Sequence, residues 1–418
     1  MKILFLSHYF PPEVNAPASR TYEHCREWVR NGHLVTVVTC APNHPRGKVY
    51  PGYRNTLYAR EEIDGITIIR VWTYVTANEG FLKRTLNYLS YMGAAIVAAP
   101  FLPKMDIVIS TSPQFFNGLA GYLVSRFKRA PWVLEIRDLW PESIIAVGAI
   151  SNRIVIQALE WLENFAYRAA DQIVPVTDAF QRHMESRGIP SLKIAVIKNG
   201  ADLSLYKPAP GKNPVTEELG LEGKFVAAYF GTHGMAHHLE TILHAAERLQ
   251  HCSDIVFLLA GDGAERERVL RLRDKLDLTN VIMLPQQPKE RMPWLWACCD
   301  VSLILLKKSD LFKTVIPSKL FESMAMEKPI ILGVEGESAE ILQSAKAGFC
   351  IEPENDEELA ARVLELRSNP TLCQTYGLNA RAHVLDNYDR SHLAKRYEIL
   401  LQSLRDKMQK NTESLQRG

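Results

Sequence analysis

The sequence lacks the long apolar run of a membrane-spanning protein and the charge excess of a nucleic-acid-binding protein. Its longest nearly apolar stretch, Leu89 to Leu102, contains Pro100 and is shorter than the roughly 18 residues of a membrane-spanning helix. The first residues, MKILFLSHYFPPE, include no small-residue cleavage site and predict a buried strand instead of a signal peptide. The net charge of +2 gives no indication of nucleic-acid binding. We therefore expect no transmembrane helix and no nucleic-acid partner.

Cysteine is also sparse in this chain. The seven cysteines are scattered, odd in number and free of any C-x-x-C pair, which favours a reduced, cytoplasmic setting.

The 418 residues exceed what one ordinary core holds and fit two domains of about 200 residues each. With 47% hydrophobic and 23% charged residues, the composition is typical of a soluble globular protein.

Short β-branched runs alternate with longer amphipathic stretches along the whole chain. In the first half, helical patterns such as Ser19 to Asn31 and Asn152 to Ala169 follow most of the predicted strands, which are KILFLS, LVTVVTC, ITIIRVW, DIVIST, WVLEIRD and QIVPVT. The second half repeats the alternation with FVAAYFG, IVFLLAGDG, NVIMLP, DVSLILL, PIILGV and GFCIE. This β-α-β order is typical of doubly wound parallel sheets, so the predicted fold class is α/β with two Rossmann-like domains.

A pause in the alternation predicts the domain boundary. The segment NGADLSLYKPAPGKNPVTEELG, which begins at Asn199, is rich in Gly, Pro and polar residues and indicates a linker. We expect an amino-terminal domain over residues 1–200 and a carboxy-terminal domain over residues 201–389. A helix over residues 390–408 is expected to pack back on the first domain, followed by a polar tail over residues 409–418. Ligands of parallel sheets bind at the carboxyl ends of strands, so functional residues are expected in the strand-to-helix loops lining a cleft.

The loop after the first strand, Ser7 to Arg20, lacks the G-x-G-x-x-G turn of a dinucleotide site. This absence disfavours a Rossmann dehydrogenase. A long Pro-rich loop that ends at a polar helix start suits a bulky substrate or partner, and a plain connector stays open as the alternative. The residues of this loop that we expect to contact an acceptor are Pro12, Glu13, Asn15 and Arg20.

Charged and aromatic residues follow the predicted strand WVLEIRD. Arg137 and Asp138 end this strand, and Trp140 and Glu142 follow in the next turn. A carboxylate beside an aromatic platform suits a sugar or an alcohol acceptor. The alternative is that Asp138 only caps the turn that follows it.

The segment FGTHGMAHHLET opens the first helix of the second domain. The backbone amides around Gly231, Thr232 and Gly234 can hold phosphate oxygens. His233 and His237 are spaced i, i+4, as in some metal sites, but no carboxylate nearby completes a ligand set. We expect contact with phosphate or substrate here, and no metal.

Two further loops of the second domain carry weaker signals. Gly261 and Gly263 form a glycine turn after the strand in LAGDGAERERV, and the charged helix beyond it is most simply solvated. In QQPKERMPWLWACCD, Trp294 and Trp296 are predicted core residues, and the loop before them can present backbone groups to a nucleobase.

The stretch VIPSKLFESMAMEKPIIL carries the strongest indication of a binding site. Pro317 and Ser318 predict a helix start, and Pro329 predicts its end. Lys319 and Glu322 lie one turn apart on one face, in the order that gives the weaker ion pair. A phosphate at the helix start would favour Lys319 there, and Glu322 could then accept hydrogen bonds from two ribose hydroxyls. An ordinary i, i+3 ion pair is the alternative.

Taken in order, these segments resemble the retaining GT-B glycosyltransferases of family 4. The resemblance covers nearly the whole chain and rests on VTDAF, IKNGADLSLY, YFGTHGMAHHLETILHAAERL, LAGDGAERERV and SKLFESMAMEKPIIL. Within the family, FPPEVNAPASR, RDLWPES and VIPSKLFE…GVEGESAEI are most similar to bacterial O-antigen and capsule enzymes that transfer L-fucosamine or related amino sugars. The resemblance implies a donor site in the carboxy-terminal domain, an acceptor site in the amino-terminal domain, and no cofactor or metal requirement.

The resemblance also implies roles for single residues. Glu322 corresponds to the second glutamate of the family's E-x7-E motif, which holds the donor ribose, whereas Thr314 stands in place of the first. Thr232 and His237 stand where the family usually has the Arg and Lys that bind the diphosphate, so more of this charge falls on Lys319. The expected donor-binding residues are Gly231, Thr232, His233, Gly234, His237, Gly261, Gly263, Lys308, Pro317, Ser318, Lys319, Leu320 and Glu322.

The implied activity is transfer of a sugar, an N-acetylated amino sugar, from a nucleoside diphosphate to a hydroxyl of a lipid-linked surface-polysaccharide intermediate, with retention. Arg137 and Asp138 are the expected catalytic residues, and they would orient the acceptor hydroxyl. Because Thr314 replaces an acid, two alternatives stay open. These are a GT-B-type sugar-nucleotide epimerase and a non-catalytic nucleotide-sugar binding protein.

The stretch from Glu79 to Lys104 raises a membrane hypothesis. Its basic and aromatic residues and its long apolar run would let it lie on an anionic inner leaflet, beside a polyprenyl-linked acceptor. The protein would then be cytoplasmic and peripheral on the inner face of the membrane. The alternative is a core helix behind the amino-terminal sheet. The residues that carry the hypothesis are Lys83, Arg84, Tyr88 and Tyr91.

Overall fold

The computed structural model of the protein describes residues 1–44, 46–76, 81–146, 148, 150–208 and 213–417. The side chains of residues 81, 146 and 411–417 are outside this description. The chain forms two compact units. The first unit consists of Met1–Lys198 and Arg390–Gly418, and the second consists of Asn199–Asp389.

A seven-stranded sheet forms the centre of the first unit. Its strands are β1 (Lys2–Leu6), β2 (Leu34–Cys40), β3 (Tyr58–Ile63), β4 (Ile66–Val71), β5 (Ile107–Thr111), β6 (Trp132–Ile136) and β7 (Gln172–Pro175). They lie in the order β3-β4-β2-β1-β5-β6-β7, and all neighbours are parallel except β3 and β4. The connecting helices are α1 (Ala16–Arg30), α2 (Phe81–Ala98), α3 (Asn117–Lys128), α4 (Glu142–Ala146), α5 (Arg153–Ala169) and α6 (Asp178–Ser186).

The second unit contains a six-stranded, wholly parallel sheet. Its strands are β8 (Phe225–Phe230), β9 (Ile255–Ala260), β10 (Val281–Leu284), β11 (Val301–Leu305), β12 (Ile330–Gly333) and β13 (Gly348–Cys350), in the order β10-β9-β8-β11-β12-β13. Its helices are α7 (Pro214–Glu218), α8 (Glu240–Arg248), α9 (Arg266–Lys275), α10 (Met292–Ala297), α11 (Lys319–Ala325), α12 (Glu337–Ala345), α13 (Asp356–Ser368) and α14 (Pro370–Asn387). The predicted α/β class with two doubly wound parallel sheets is therefore confirmed.

Strand β3 is absent from the sequence prediction. It pairs antiparallel with β4 at the sheet edge, and its side chains alternate between exposed and half-buried, so it has no apolar run. The turn between the two strands is Asp64-Gly65, and both residues have positive φ angles, of 50° and 75°. An Asp-Gly pair between two strands is a strong hairpin signal, and it was the local evidence for β3.

The segment predicted as a linker is largely part of the second unit. Tyr206 and Val215 are buried in its hydrophobic core, and helix α7 lies within the segment. Asn213 caps α7 through a side-chain hydrogen bond to the amide of Val215, at 3.0 Å. The Gly- and Pro-rich composition therefore reflects turns and a helix start, while residues 209–212 lie outside the described residues.

A last helix, α15 (Arg390–Arg417), belongs to the first unit. It packs on α1, where the Trp28 indole donates to the carbonyl of Ala394 at 3.0 Å and Arg390 forms a buried ion pair with Glu23 at 2.9 Å. The helix does not end near residue 408, where a polar tail was predicted. Gln, Lys, Glu and Leu beyond that point are good helix formers, and no Gly or Pro occurs before Gly418.

Candidate functional site

Each sheet has one point at which the strand order reverses, between β1 and β5 in the first unit and between β8 and β11 in the second. Ligands of doubly wound sheets bind outside the carboxyl ends of the strands at such points. The sequence-predicted site residues follow β1 and β6 in the first unit, and β8, β9 and β11 in the second.

Glycines allow the second unit's loops to approach one another closely. Gly231, directly after β8, has a φ of 142°, and a Cβ there would lie 2.9 Å from Nζ of Lys319. A Cβ on Gly261, directly after β9, would lie 1.8 Å from the carbonyl oxygen of Gly231. The amide of His233 donates to the carbonyl of Asp262 at 3.0 Å, which joins the same two loops. A larger side chain at either glycine would therefore displace this arrangement.

Lys319 is the first residue of α11, and its side chain reaches this junction beside Gly231. Its Nζ lies 3.5 Å from the centroid of the Tyr229 ring, is buried, and has no hydrogen-bond partner among the described residues. Burial lowers the pKa of Lys319 to about 7, against the opposing effect of the Glu322 carboxylate. The ring face compensates part of the cost of burying this amine. Its donors are unmatched within the described chain.

Two histidines surround this lysine. His233 is fully buried, and neither of its ring nitrogens has a partner among the described residues. Burial, reinforced by nearby positive charges that include Lys319, lowers the pKa of His233 to about 4 and that of His237 to about 3. Both rings are therefore neutral at pH 7 and can each offer one donor and one acceptor. We call Gly231, His233, His237, Gly261 and Lys319 the lysine site.

The remaining predicted donor residues have differing positions. Thr232 and Gly234 lie in the same loop, where the Tyr229 hydroxyl donates to the Thr232 carbonyl at 2.8 Å and the His237 amide donates to the Gly234 carbonyl at 3.0 Å. Gly263 packs against the His233 backbone, since a Cβ there would lie 2.5 Å from the His233 carbonyl oxygen. These residues shape the lysine site through their backbones.

Helix α11 differs from the prediction. It has only seven residues and ends at Ala325, well before Pro329, and Ser318 makes no side-chain capping bond although Pro317 and Ser318 do precede the helix. Leu320 is fully buried in the hydrophobic core, so its side chain faces away from any ligand. A helix this short gives little dipole, and the indication of a ligand rests on the unmatched amine of Lys319 instead.

Lys308 and Thr314 have local partners. Lys308 is exposed, and its Nζ pairs with Glu352 at 2.5 Å, while its backbone amide donates to Glu354 at 2.9 Å. The Thr314 hydroxyl donates to the carbonyl of Leu311 at 2.6 Å. The prediction that Lys308 helps to bind the diphosphate is therefore not supported, because its amine already pairs with a surface carboxylate.

The two tryptophans of the α10 segment differ in burial. Trp296 is fully buried, as predicted, and its ring packs against Phe230. Trp294 is 42% exposed, so the prediction of a core position is wrong for this residue. Helix α10 has only six residues, and it presents one of its two neighbouring tryptophans to the core and the other to the surface.

In the first unit, Arg137 and Asp138 lie where predicted, at the carboxyl end of β6. Their amides donate to the Ser112 hydroxyl, at 2.6 and 3.2 Å, and the Arg137 guanidinium donates to the carbonyl of Pro17 at 3.0 Å. Burial raises the pKa of Asp138 to about 6, against the opposing charge of Arg84, and burial lowers the pKa of Arg137 to about 9. A carboxyl with such a pKa can exchange a proton near neutral pH.

Aromatic side chains gather at the same edge of the sheet. Trp140 is only 5% exposed and stacks on Phe115, so it is a packed residue and not the open platform that was expected. Around it lie residues that follow β1 and β2 or belong to α2, and we call His8, Tyr9, His44, Tyr88 and Trp140 the aromatic cluster. The sequence signal was the pair His8-Tyr9 just beyond the first strand.

Arg84 was also missed as a site residue. The prediction placed it with Lys83 and two tyrosines on a membrane surface, but its guanidinium lies over the rings of Tyr88 and Trp140, at 5.4 and 5.5 Å from their centroids. Tyr88 and Tyr91 are buried, and the Tyr91 hydroxyl donates to the carbonyl of Val38. Of the four residues that carried the membrane hypothesis, the two tyrosines therefore belong to the core, Arg84 is half-buried and Lys83 is exposed.

The predicted acceptor residues of the first loop have framework contacts. Glu13 is buried and accepts hydrogen bonds from the amides of Asn43 and His44, at 2.8 and 2.9 Å, and burial raises its pKa to about 7. Asn15 caps α1 through the amide of Ala18 at 2.8 Å. Pro12, in contrast, is exposed.

Arg20 is fully enclosed in the first unit. It pairs with Glu135 at 3.1 Å and donates to the carbonyls of Ile197 and Lys198 at 2.8 and 2.9 Å. With a relative exposure of 1%, it joins α1, β6 and the segment after α6. These contacts give Arg20 a structural role, so direct contact with an acceptor is not supported.

Glu142 lies in a cluster with Glu163 and His183, the one group among the described residues whose ligand atoms are close enough to share a metal ion. The Arg187 guanidinium donates to both carboxylates, at 3.2 Å to Glu142 and at a shorter distance to Glu163. A guanidinium between two carboxylates supplies the positive charge that a metal would bring. The arrangement is therefore an ion-pair network, and it does not fit a metal site.

No helix among the described residues is long and apolar enough to cross a membrane.

Two family models match the chain in succession. The model for the glycosyl transferase 4-like domain matches residues 15–200, and the model for glycosyl transferases group 1 matches residues 215–383. The WcaI protein of Escherichia coli K12, named for glycosyl transfer in colanic acid biosynthesis, is 24% identical over 395 residues, which are 90% of this chain and 95% of WcaI. The glycosyltransferase WbjE of Pseudomonas aeruginosa is 27% identical over 62% of this chain and 65% of its own length.

Solved structures share the fold over nearly the full length. Sucrose-phosphate synthase of Thermosynechococcus elongatus superposes with a TM-score of 0.77 at 15% identity, covering 97% of this chain and 99% of that one. HepE of Anabaena, solved in complex with UDP-glucose, gives a TM-score of 0.71 at 20% identity, covering 96% of this chain and all of that one. With its two doubly wound parallel sheets and these two successive domains, the chain belongs to the GT-B glycosyltransferases, with a glycosyl transferase 4-like domain followed by a group 1 domain.

Proposed function

We propose that the protein transfers a sugar, an N-acetylated amino sugar, from a nucleoside diphosphate to a hydroxyl of a lipid-linked surface-polysaccharide intermediate, with retention of configuration. The observation that carries the proposal is the buried Nζ of Lys319, which has no hydrogen-bond partner among the described residues. An ammonium group held beside three loops at the switch point of a parallel sheet fits a phosphate oxygen. The donor would bind without a cofactor or metal.

The reaction assigns a definite role to this lysine. The bond from the sugar anomeric carbon to the diphosphate oxygen breaks, and a bond from that carbon to the acceptor oxygen forms, while the hydroxyl proton passes to a base or to the departing diphosphate. Negative charge builds on the diphosphate as its bond breaks. A fixed ammonium group in a site that excludes water stabilises that charge strongly, because it needs no reorganisation during the reaction.

Glu322 and Asp138 complete the proposed assignments. Glu322 lies one helical turn after Lys319, and its carboxylate would accept hydrogen bonds from the two ribose hydroxyls of the donor. Asp138, whose pKa is raised to about 6, would orient the acceptor hydroxyl with Arg137. Retention and the amino-sugar donor rest on the similarity of the sequence to O-antigen and capsule enzymes.

The relatives support the polysaccharide context and the nucleotide. WcaI is named for colanic acid biosynthesis, and HepE has been solved with UDP and with UDP-glucose. We therefore expect a nucleoside-diphosphate sugar as donor and a glycan on a polyprenyl carrier as acceptor. A cytoplasmic location follows from such a donor.

The donor assignment is tested by thermal unfolding with a panel of uridine, guanosine and thymidine diphosphate sugars. A ligand present at 100 times its dissociation constant adds about 2.7 kcal/mol to the free energy of unfolding. The matching donor should stabilise the wild type, Lys319→Met should lose most of that gain, and Lys308→Met should keep it because Lys308 lies exposed on Glu352. Equal stabilisation of wild type and Lys319→Met would contradict the assignment.

An acceptor experiment separates the transferase from its alternatives. Release of the nucleoside diphosphate only after a lipid-linked acceptor is added supports the transferase. Isomerised donor without acceptor would instead favour an epimerase, and tight binding with neither outcome would favour a binding protein.

An exposed apolar surface of the first unit supports a peripheral membrane location. It lies on α2, on the turn after it and on α3, which are tied together by the Lys128 amine donating to the carbonyl of Leu102. Basic residues adjoin these apolar positions, as expected for an anionic leaflet. We call this surface the apolar patch, and it consists of Val97, Phe101, Leu123 and Phe127, with Lys104, Arg126 and Arg129 beside them.

The membrane proposal is tested by co-sedimentation with phosphatidylglycerol vesicles. The variant Phe101→Ser/Phe127→Ser should sediment less than the wild type, whereas Leu192→Ser, which removes an exposed leucine elsewhere on the first unit, should not differ. Unchanged sedimentation of the double variant would rule out this surface. The lysine site would be unaffected by that result.

A further inference from the structure

Arg84 is held by aromatic rings, and no carboxylate among the described residues forms an ion pair with it. Its guanidinium lies 5.4 Å from the centroid of Tyr88 and 5.5 Å from that of Trp140, and its Nε donates to the Tyr88 hydroxyl at 2.9 Å. Among the described residues, none accepts a hydrogen bond from its two terminal nitrogens. Arg84 is half-buried, so this fixed cation still faces outward.

Most groups around Arg84 are uncharged at pH 7, and Asp138 is the acidic one among them. Burial lowers the pKa of His8 to about 3 and that of His44 to about 4, and the charge of Arg84 contributes to both shifts. Both imidazoles are therefore neutral at pH 7. Asp138 is the acidic group that interacts with Arg84 electrostatically, and burial already raises its pKa to about 6. The described residues form no ion pair with Arg84.

This cation also lies where a ligand is expected. His8 follows β1, His44 follows β2 and Trp140 follows β6, so the aromatic cluster is at the carboxyl edge of the sheet, next to the β1–β5 switch point. The Nδ1 atom of the buried His8 also lacks a partner among the described residues. A guanidinium whose two terminal nitrogens have no acceptor within the described part of the chain matches the geometry of a phosphate or a carboxylate, which it can bind through two parallel hydrogen bonds.

We propose that Arg84 and the aromatic cluster form a subsite for an oxyanion carried on a sugar ring of the acceptor. This inference rests on the proposed glycosyl transfer and adds that the acceptor is anionic close to the reacting sugar. The oxyanion is either the phosphate that joins the first sugar to its carrier or the carboxylate of a uronic acid in the glycan. The carboxylate is planar and the phosphate is tetrahedral, and a guanidinium can bind the oxygens of either. The neighbouring aromatic rings offer flat apolar faces to a pyranose.

Three small sugars serve as probes of this subsite: glucose 1-phosphate, glucuronate and methyl α-glucoside. Their affinities for the full chain are measured by isothermal titration or by saturation-transfer NMR. The wild type should bind at least one anionic sugar more tightly than the neutral glucoside. Preference for glucose 1-phosphate indicates a sugar phosphate as the natural group, and preference for glucuronate indicates a uronic acid.

Variants assign the preference to the residue. Arg84→Gln should weaken binding of the preferred anionic sugar about tenfold, as expected for loss of a charged hydrogen bond. The affinity for methyl α-glucoside should stay unchanged. Arg84→Lys keeps the charge and should retain part of the preference. Lys83→Gln removes a neighbouring exposed charge on the same helix and should have no effect.

Three results would overturn the subsite. The first is no binding of any probe to the wild type, and the second is equal affinity for charged and neutral sugars. The third is an equal loss of affinity for all three probes in Arg84→Gln, which would show that the arginine has a purely structural role. Failure of the transferase proposal would be detected in a separate measurement, because the proposed UDP-sugar site lies in the second unit. Arg84→Gln should bind UDP-glucose as the wild type does.

Discussion

The two units have the same architecture, but a buried cation in one unit has different contacts from a buried cation in the other. In the first unit, Arg20 is enclosed with the carboxylate of Glu135 and two backbone carbonyls, so its donors are used inside the fold. In the second unit, the buried amine of Lys319 lies against the face of Tyr229 and has no hydrogen-bond partner among the described residues. Burial of a charged residue is therefore a poor indicator of a ligand site. The useful indicator is hydrogen-bonding capacity that the described chain leaves unmet.

The largest expected effect is on the paired cation. Arg20→Met would leave the fully buried Glu135 carboxylate with the Thr111 hydroxyl, at 2.8 Å, as its one remaining side-chain donor among the described residues. Breaking a buried ion pair by removing one partner costs about 3–5 kcal/mol. Urea unfolding followed by circular dichroism should show a loss of this size. Arg30→Met on the same helix removes an exposed pair with Glu27 and should cost less than about 1 kcal/mol.

If Arg20→Met were no more destabilising than Arg30→Met, the contrast between the two buried cations would fail. Arg20 would then be a residue whose charge the fold does not need. A direct role in binding the acceptor, as predicted from the sequence, would have to be reconsidered.

For the unmatched cation, we expect the main loss in turnover. Removing one charged or hydrogen-bonding group that stabilises developing negative charge lowers the rate constant by about 10²–10³. Lys319→Met should show such a decrease at saturating donor without a loss in the free energy of unfolding, because the methionine side chain can still pack on Tyr229 and buries no charge. Lys308→Met is the matched control and should have normal turnover. A large loss of stability in Lys319→Met, with normal turnover in the folded fraction, would make Lys319 a structural residue like Arg20.

Glu322 gives a smaller expected effect. Glu322→Gln keeps the shape of the side chain but weakens charged hydrogen bonds to the ribose, which is worth roughly 1.5–3 kcal/mol, or about tenfold or more in donor affinity. The dissociation constant of UDP-glucose, measured by titration calorimetry, tests this. The matched change Glu352→Gln removes the exposed partner of Lys308 and should have no effect. Unchanged affinity in Glu322→Gln would remove this residue from the donor site.

The comparison also explains how far sequence reasoning could go. The twelve parallel strands were predictable because each is a short β-branched or apolar run, and the segment SKLFES identified Lys319 from its chemistry. Strand β3 has no such run, and its only signal was the Asp-Gly turn. The pattern of apolar residues along the chain predicts strands that have a buried face, but it predicts strands at the edge of a sheet poorly.

The errors within the site have a common physical cause. Arg20 and Trp140 have the residue types of an acceptor site, but the partners that enclose them, Glu135 and Phe115, come from distant parts of the chain. Conversely, Arg84 was assigned to a membrane surface because basic and aromatic residues adjoin a long apolar run, whereas its guanidinium lies against Trp140, more than 50 positions away in sequence. Whether a polar side chain is satisfied depends on these long-range contacts.

The smallest expected effect is the pH dependence of donor binding, which distinguishes a titrating amine from a paired one. With the pKa of Lys319 at about 7, the protonated fraction falls from about one half at pH 7 to about one eleventh at pH 8. The neighbouring rings do not titrate in this range, since the pKa values of His233 and His237 are lowered to about 4 and 3 and that of Tyr229 is raised well above 10. The affinity for UDP-glucose, a diphosphate diester whose charge is constant here, should therefore fall about fivefold.

Stability should change in the opposite direction over the same window. Because burial lowers the pKa of Lys319 from 10.5, the native state binds fewer protons than the unfolded state between pH 7 and 10.5. The contribution of this group to the free energy of unfolding then rises with pH, while donor affinity falls. Lys319→Met should flatten both trends, and Lys308→Met should keep both. Parallel changes in affinity and stability, or a pH trend that persists in Lys319→Met, would show that a group other than Lys319 controls the site.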